Sequence, residues 1–176
     1  PRPKWPAFYR LRYLKMANDF SAQTKRPIRY VQPPDSGVCA YFPMSVDWKK
    51  LLKDPTQPLI ITEGELKAAK ACKEGFPTIG LGGVWNFRSS SLGTTFLREL
   101  EAFNWVKRRV YIIFDSDVIM KPGVQDALNS LAEELMLRGA LPFIVFVPEG
   151  DNGKKQGLDA RYYPNGKPER LAVIDQ

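Results

Sequence analysis

The sequence predicts an α/β fold, a parallel sheet of about four strands flanked by helices, and three observations carry that expectation. Four short apolar runs, at residues 59–62, 77–81, 109–114 and 141–147, read as strands buried on both faces, the habit of a parallel sheet. Helical patterns separate them; the clearest is Val124, Ala127, Leu128, Leu131 and Leu135, which line one face at i, i+3, i+4, i+7 and i+11. Three of the four runs stop at acids: Glu63, Asp115 with Asp117, and Glu149 with Asp151. The remaining run opens into Gly82-Gly83. Parallel strands all end on one edge, where α/β proteins keep their sites.

Taken in order, residues 1–57 form a basic, aromatic arm, 58–163 the α/β domain and 164–176 a tail. In the arm, Trp5, Phe8, Tyr9, Tyr13, Phe20 and Tyr30 interleave with Arg2, Lys4, Arg10, Arg12, Lys15 and Arg29. Cationic groups neutralise phosphates and aromatic faces stack bases, so this composition suits single-stranded nucleic acid. Packing on a neighbouring domain is the alternative. Segments 28–31 and 38–42, around Pro33-Pro34-Asp35-Ser36-Gly37, are expected to form a small hairpin, and 47–52 a helical turn. Strand 59–62 ends at Glu63-Gly64, and small residues in 65–73 predict a helix that packs closely on the sheet and ends at Gly75 in a left-handed cap. Strand 77–81 leads into loop 82–88; residues 96–103 read as a helix before strand 109–114. Pro122 and Gly123 break the chain, Gly139 stops the next helix, and strand 141–147 precedes a polar segment at 152–159.

The whole chain, 176 residues with 44% hydrophobic and 26% charged content, has the size and composition of one soluble domain with an appendage. It starts at Pro1 and reads as a piece of a longer protein. No apolar run nears the roughly 20 residues that span a bilayer, and the start lacks signal-peptide character, so a cytoplasmic protein without a membrane partner is expected. Cys39 and Cys72 are too few for a disulfide framework and lack zinc-site spacing. There is no histidine, which excludes Ser-His and Cys-His nucleophile pairs and leaves acid–base work to carboxylates, lysines, tyrosines or metal-bound water. The net charge of +7 lies wholly in residues 1–30; the rest holds 18 basic and 18 acidic residues.

Asp115 and Asp117, two residues apart at a strand end, point the same way and can share a divalent cation. Turn-forming aspartates that cap the strand are the alternative. The convergence of Glu63 on the same edge favours the cation, because clustered like charges are costly without one. Lys154 and Lys155 are candidate phosphate-binding point charges, against a merely solvated loop. Asn86 and Arg88 are candidates for phosphate or substrate contact, whereas Trp85, Phe87 and Tyr111 read as packing residues.

Ile61-Thr62-Glu63-Gly64 and Phe114-Asp115-Ser116-Asp117, with Glu63 and Asp115 separated by 52 residues, resemble the glutamate and D-x-D strands of the Toprim domain. T-E-G-E-L-K-A-A-K-A at 62–71, G-L-G-G-V-W-N-F at 80–87 and K-K-Q-G-L-D at 154–159 are most similar to the Toprim-like domain of phage and plasmid primase–helicase replication proteins. The resemblance covers residues 58 to about 163. It implies a Toprim-like Rossmannoid fold and nucleotidyl or phosphoryl transfer dependent on Mg2+ or Mn2+. Glu63 would shuttle the proton and, with Asp115 and Asp117, hold metal; Asp159, preceded by Lys154 and Lys155, matches the third acidic segment. Two positions depart from the pattern. Lys67 stands where many primases carry an Asp, and Ala160 where a second acid often follows.

The implied function is a primase-like nucleotidyltransferase using single-stranded DNA and NTPs. A Toprim nuclease with the same acids, or a non-catalytic nucleic-acid-binding module, are the alternatives. Other domains of the same polypeptide, with a helicase among the candidates, are the implied partners. No Walker A motif, zinc ribbon or separate helical domain with a nucleophilic tyrosine is present, so helicase, template-reading and topoisomerase roles are not expected of this segment.

Overall fold

Short extended pieces of the basic N-terminal unit, Pro1–Gly37, pair with each other: β1 (Leu11–Arg12) runs antiparallel to β2 (Tyr30–Val31), with Arg12 opposite Tyr30. The computed structural model describes residues 9–13, 28, 30–34, 36–90, 93–115 and 121–147. Within β1–β2 the guanidinium carbon of Arg10 lies 4.7 Å, and that of Arg12 5.9 Å, from the centre of the Tyr30 ring.

The second unit, Val38–Gln176, holds the α/β fold. Its elements in chain order are β3 (Ala40–Tyr41), α1 (Trp48–Lys53), β4 (Leu59–Glu63), α2 (Glu65–Lys73), β5 (Thr78–Leu81), α3 (Arg98–Glu101), β6 (Arg109–Ile113), α4 (Pro122–Leu137) and β7 (Leu141–Val145). They form a five-stranded sheet ordered β3-β5-β4-β6-β7, parallel except for β3. The four expected parallel strands are present, with a fifth, antiparallel strand on the β5 edge.

That fifth strand corrects the expected hairpin. Residues 28–31 and 38–42 do supply strands, but β2 pairs with β1, and β3 pairs with β5 through Ala40 opposite Leu81. A carboxylate oxygen of Glu99 on α3 accepts the Ala40 N–H at 2.8 Å, which fixes β3 from the side. Two-residue strands carry too little pattern to set a partner, so tertiary contacts choose it.

Alternation along the strands sorts the core into two layers. Leu59, Ile61, Ile79, Leu81, Val110, Ile112 and Phe114 pack with Leu100 of α3 and Leu128, Leu131 and Leu135 of α4. Ile60, Ile113 and Val145 face the other way, with Ala71 of α2. Gly80 lets α2 sit low on β5: a Cβ there would lie 3.0 Å from the Ala68 Cβ and 3.2 Å from the Gly64 oxygen. Gly75 follows α2 with φ of 89°, the expected left-handed cap, and Gly139, expected to stop α4, has the same conformation with φ of 82°. Pro122, expected to interrupt the chain, instead starts α4, where its missing N–H leaves no intrahelical bond unmade.

Two other expectations shift. The helix expected over 96–103 is only one turn, Arg98–Glu101: Leu97 is extended, with ψ of 141°, and gives its N–H to Phe87 O at 2.8 Å. β7 is not buried on both faces. It is the outer strand, with Leu141 48% exposed. Among the described residues no helix is long and apolar enough to cross a membrane.

Candidate functional site at the carboxyl edge of the sheet

The crossovers place the candidate site. From the end of β4 the chain passes through α2 to β5 on one side; from the end of the adjacent β6 it passes through α4 to β7 on the other. Connections that diverge from neighbouring parallel strands leave a crevice at their carboxyl ends, the usual ligand position in open α/β sheets. Glu63 is the last residue of β4 and Asp115 follows β6 by two residues, so both acids stand at this crevice.

Backbone geometry sets up the β4 side. Glu63 is half-buried and is paired with Leu81 in the sheet; Gly64 then turns with φ of 102°, donates its N–H to Leu81 O at 2.7 Å and starts α2. An L side chain is strained at that φ, so glycine is needed for the abrupt strand-to-helix turn. Thr62, immediately before Glu63, is 1% exposed, and its hydroxyl oxygen has no hydrogen-bond partner among the described residues. A buried polar atom left unsatisfied is uncommon away from sites that bind something polar.

On the β6 side the Asp115 carboxylate is buried and ion-paired with the ammonium of Lys67, on the first turn of α2. The side chains are 11% and 19% exposed. Lys67, noted in the sequence for its departure from the Toprim pattern, is therefore a constituent of the edge. Its signal was a cation at the positive end of a helix dipole, an unfavourable place without an anion nearby.

The loop after β5 begins beside Glu63. There Asn86 donates its backbone N–H to Gly83 O at 2.9 Å, and Arg88 is exposed with its guanidinium 4.1 Å from the Trp85 ring centre. Phe87 is fully buried, as a packing residue should be, while Tyr111 is half-buried and stacks on Phe143 with 5.3 Å between ring centres. Asp117, Asp159, Lys154, Lys155, Arg2, Lys4, Lys15 and Arg29 lie outside the described residues.

Neither thiol is poised for nucleophilic chemistry. Burial pushes both the Cys39 and Cys72 thiols up, with Glu99 adding to the shift at Cys39. An apolar pocket of about 210 Å³ lies on the face bearing Ile60, Tyr111, Ile113 and Val145, with no charged residue in its lining. That lining offers no carboxylate or cation, unlike the strand ends.

Among the described residues no group of three side chains able to hold a metal forms. The donor chemistry of Glu63 and Asp115 nevertheless fits a hard cation. Such ions take carboxylate oxygens and retain waters.

Residues 47–167 match the family model described as a domain of unknown function, DUF3854. The chain belongs to the DUF3854 family. Comparison with curated proteins finds no match. Among solved structures, this DUF3854 chain is similar to the Aquifex aeolicus primase, in the crystal structure of its zinc-binding and RNA polymerase domains, with a TM-score of 0.55 and 18% identity. The similarity covers 91% of this chain and 34% of the primase chain, so the DUF3854 chain spans about a third of that structure. At that identity the likeness is one of fold: the mixed α/β sheet flanked by helices is similar to that of the primase structure.

Proposed function

We propose that this domain is the Toprim-type catalytic part of a primase-like replication protein, joining nucleotides on a single-stranded DNA template with Mg2+ or Mn2+. One observation supports the reading: Glu63 ends β4 and Asp115 follows β6, adjacent parallel strands whose onward connections diverge at this edge. The primase fold, whose solved example includes an RNA polymerase domain, supports the same reaction class. Phage or plasmid origin, a cytoplasmic location and further domains of the same polypeptide, including a helicase, belong to the same proposal.

In this mechanism Glu63 accepts the proton of the attacking 3′-hydroxyl while its oxygen bonds to the α-phosphorus of an NTP and the bond to pyrophosphate breaks. With no histidine in the chain, a carboxylate at a glycine turn is the best-placed base. Asp115 and Glu63, with Asp117 and Asp159 proposed beside them, would hold the divalent cation, which neutralises phosphate charge when bound. Asn86 and Arg88 in the β5 loop, and Lys154 and Lys155, are proposed to steady the phosphates. Arg2, Lys4, Arg10, Arg12, Lys15 and Arg29 are proposed to hold the template strand. The guanidinium groups of Arg10 and Arg12 lie near the Tyr30 ring, which supports this part of the arm as a cationic, aromatic surface.

The test incubates the protein with single-stranded DNA, labelled NTPs and Mg2+ or Mn2+, scoring extension and cleavage on one gel. Extension is expected, with a loss of at least ~10²-fold in Glu63→Gln, the usual size of a general-base contribution. Cleavage in place of extension would identify a nuclease. The Lys67–Asp115 ion pair favours a second reading, a non-catalytic nucleic-acid-binding module; binding of single-stranded DNA with neither product, even when the domain is joined to further domains, would favour it over the first.

A further inference from the structure

We infer that Lys67 is the built-in counter-ion of this edge: its ammonium and a divalent cation compete for Asp115, and the ammonium is released to phosphate when the cation enters. This rests on the proposed function and adds a role for a residue that the Toprim resemblance leaves without one.

The position of Lys67 is electrostatically costly for α2. It lies in the first turn, where the unsatisfied N–H groups make the helix end positive, and Gly64 provides no capping side chain. The ion pair with Asp115, 48 residues away, is what holds the ammonium there. Both side chains are mostly withdrawn from water, so Asp115 has a strong need for a positive partner and Lys67 for a negative one.

The route Lys67 takes allows exchange. A Cβ built on Gly64 would lie 4.0 Å from the Lys67 Cδ, so the aliphatic stem passes beside the glycine turn next to Glu63. A lysine is a point charge on four rotatable carbons. It can leave one anion for another by side-chain rotation alone, which the planar fork of an arginine does less readily. A divalent ion at Asp115 repels an ammonium on the same carboxylate, so the two partners exclude each other. An incoming phosphate supplies the replacement anion, adjacent to the helix N-terminus that already favours one.

The experiment measures Mn2+ affinity by calorimetry for wild type and Lys67→Met, which keeps the length of the stem and removes the charge. The expected result is a Kd at least about tenfold lower in the variant, equivalent to about 1.4 kcal/mol. A purely structural lysine would lower thermal stability and leave metal affinity equal or weaker. A second measurement needs no variant: acetylation of Lys67 in wild type, read by peptide mass, should rise several-fold on adding Mg2+. Wild type that binds Mn2+ with an affinity unchanged by Lys67→Met, or shows no Mg2+-dependent acetylation, would overturn the inference and leave the proposed function standing. If neither protein binds Mn2+ and neither extends DNA, both fall together.

Discussion

At the amino end of β6, Arg108 is wholly buried, and its guanidinium donates to three backbone carbonyls, Asn104 at 2.9 Å, Gln57 at 3.1 Å and Leu51 at 2.6 Å. At the carboxyl end of the same strand, Asp115 is also buried but is held by the side chain of Lys67. The first charge is enclosed by fixed backbone and by the rings of Phe103 and Trp105, whose centres lie 5.8 and 5.9 Å from it. Burial pulls the Arg108 pKa below its ordinary value, partly opposed by Asp54, and the carbonyl cage compensates. The second charge has a partner that can rotate away. A charge that serves stability is satisfied by groups that cannot leave, whereas a charge that serves exchange is satisfied by one that can.

The largest effect should come from opening the fixed end. Arg108→Met takes the donor from one buried and two part-buried carbonyls and should cost about 3 kcal/mol. A denaturant midpoint measures it. Mn2+ affinity at the other end of β6 should not change, because the residues that hold Asp115 are untouched. A loss of stability near zero would break the comparison.

A much smaller effect is expected from a surface pair that serves neither end. The guanidinium of Arg138 donates to both carboxylate oxygens of Glu101, one of them at 2.8 Å, and holds the Glu101 carboxyl below the usual carboxylate range. A depressed folded pKa means that this contribution is complete above the unfolded value of about 4.3 and is lost as pH falls through the folded value. Glu101→Gln should therefore flatten the stability profile only below about pH 4.3, by less than ~1 kcal/mol given its exposure. Melting temperatures of the two proteins from pH 7 to 3 would show the difference. An equal loss at neutral and acid pH would assign it to packing.

What the sequence made legible follows from the range of each interaction. The bounds of α2, Glu65–Lys73, are as expected because apolar spacing and the Gly75 cap lie within a few residues of one another. The same is true of the acids at the ends of β4 and β6, since an apolar run that stops at a carboxylate is a local pattern. The pairing of β3 with β5 depends on Glu99, 59 residues from Ala40, and could not be read locally. The partners of the charges at the two ends of β6 were similarly opaque. Arg108 appears in the sequence as one more surface-type cation, and its partners Gln57 and Leu51 lie 51 and 57 residues away. Lys67 was visible only as a departure from a pattern, and its reason became clear once β4, α2 and β6 were side by side.

The central claim is that the carboxyl edge of this DUF3854 domain is a cation site built on Asp115, and a calorimetric Mn2+ titration of wild type against Asp115→Asn tests it most directly. Asparagine keeps the shape of the side chain and removes the charge that both Lys67 and a hard cation require. Saturable Mn2+ binding is expected in wild type, weakened at least ~10-fold in the variant, the scale of losing a charged partner worth about 1.4 kcal/mol. Equal Mn2+ binding by the two proteins would contradict it.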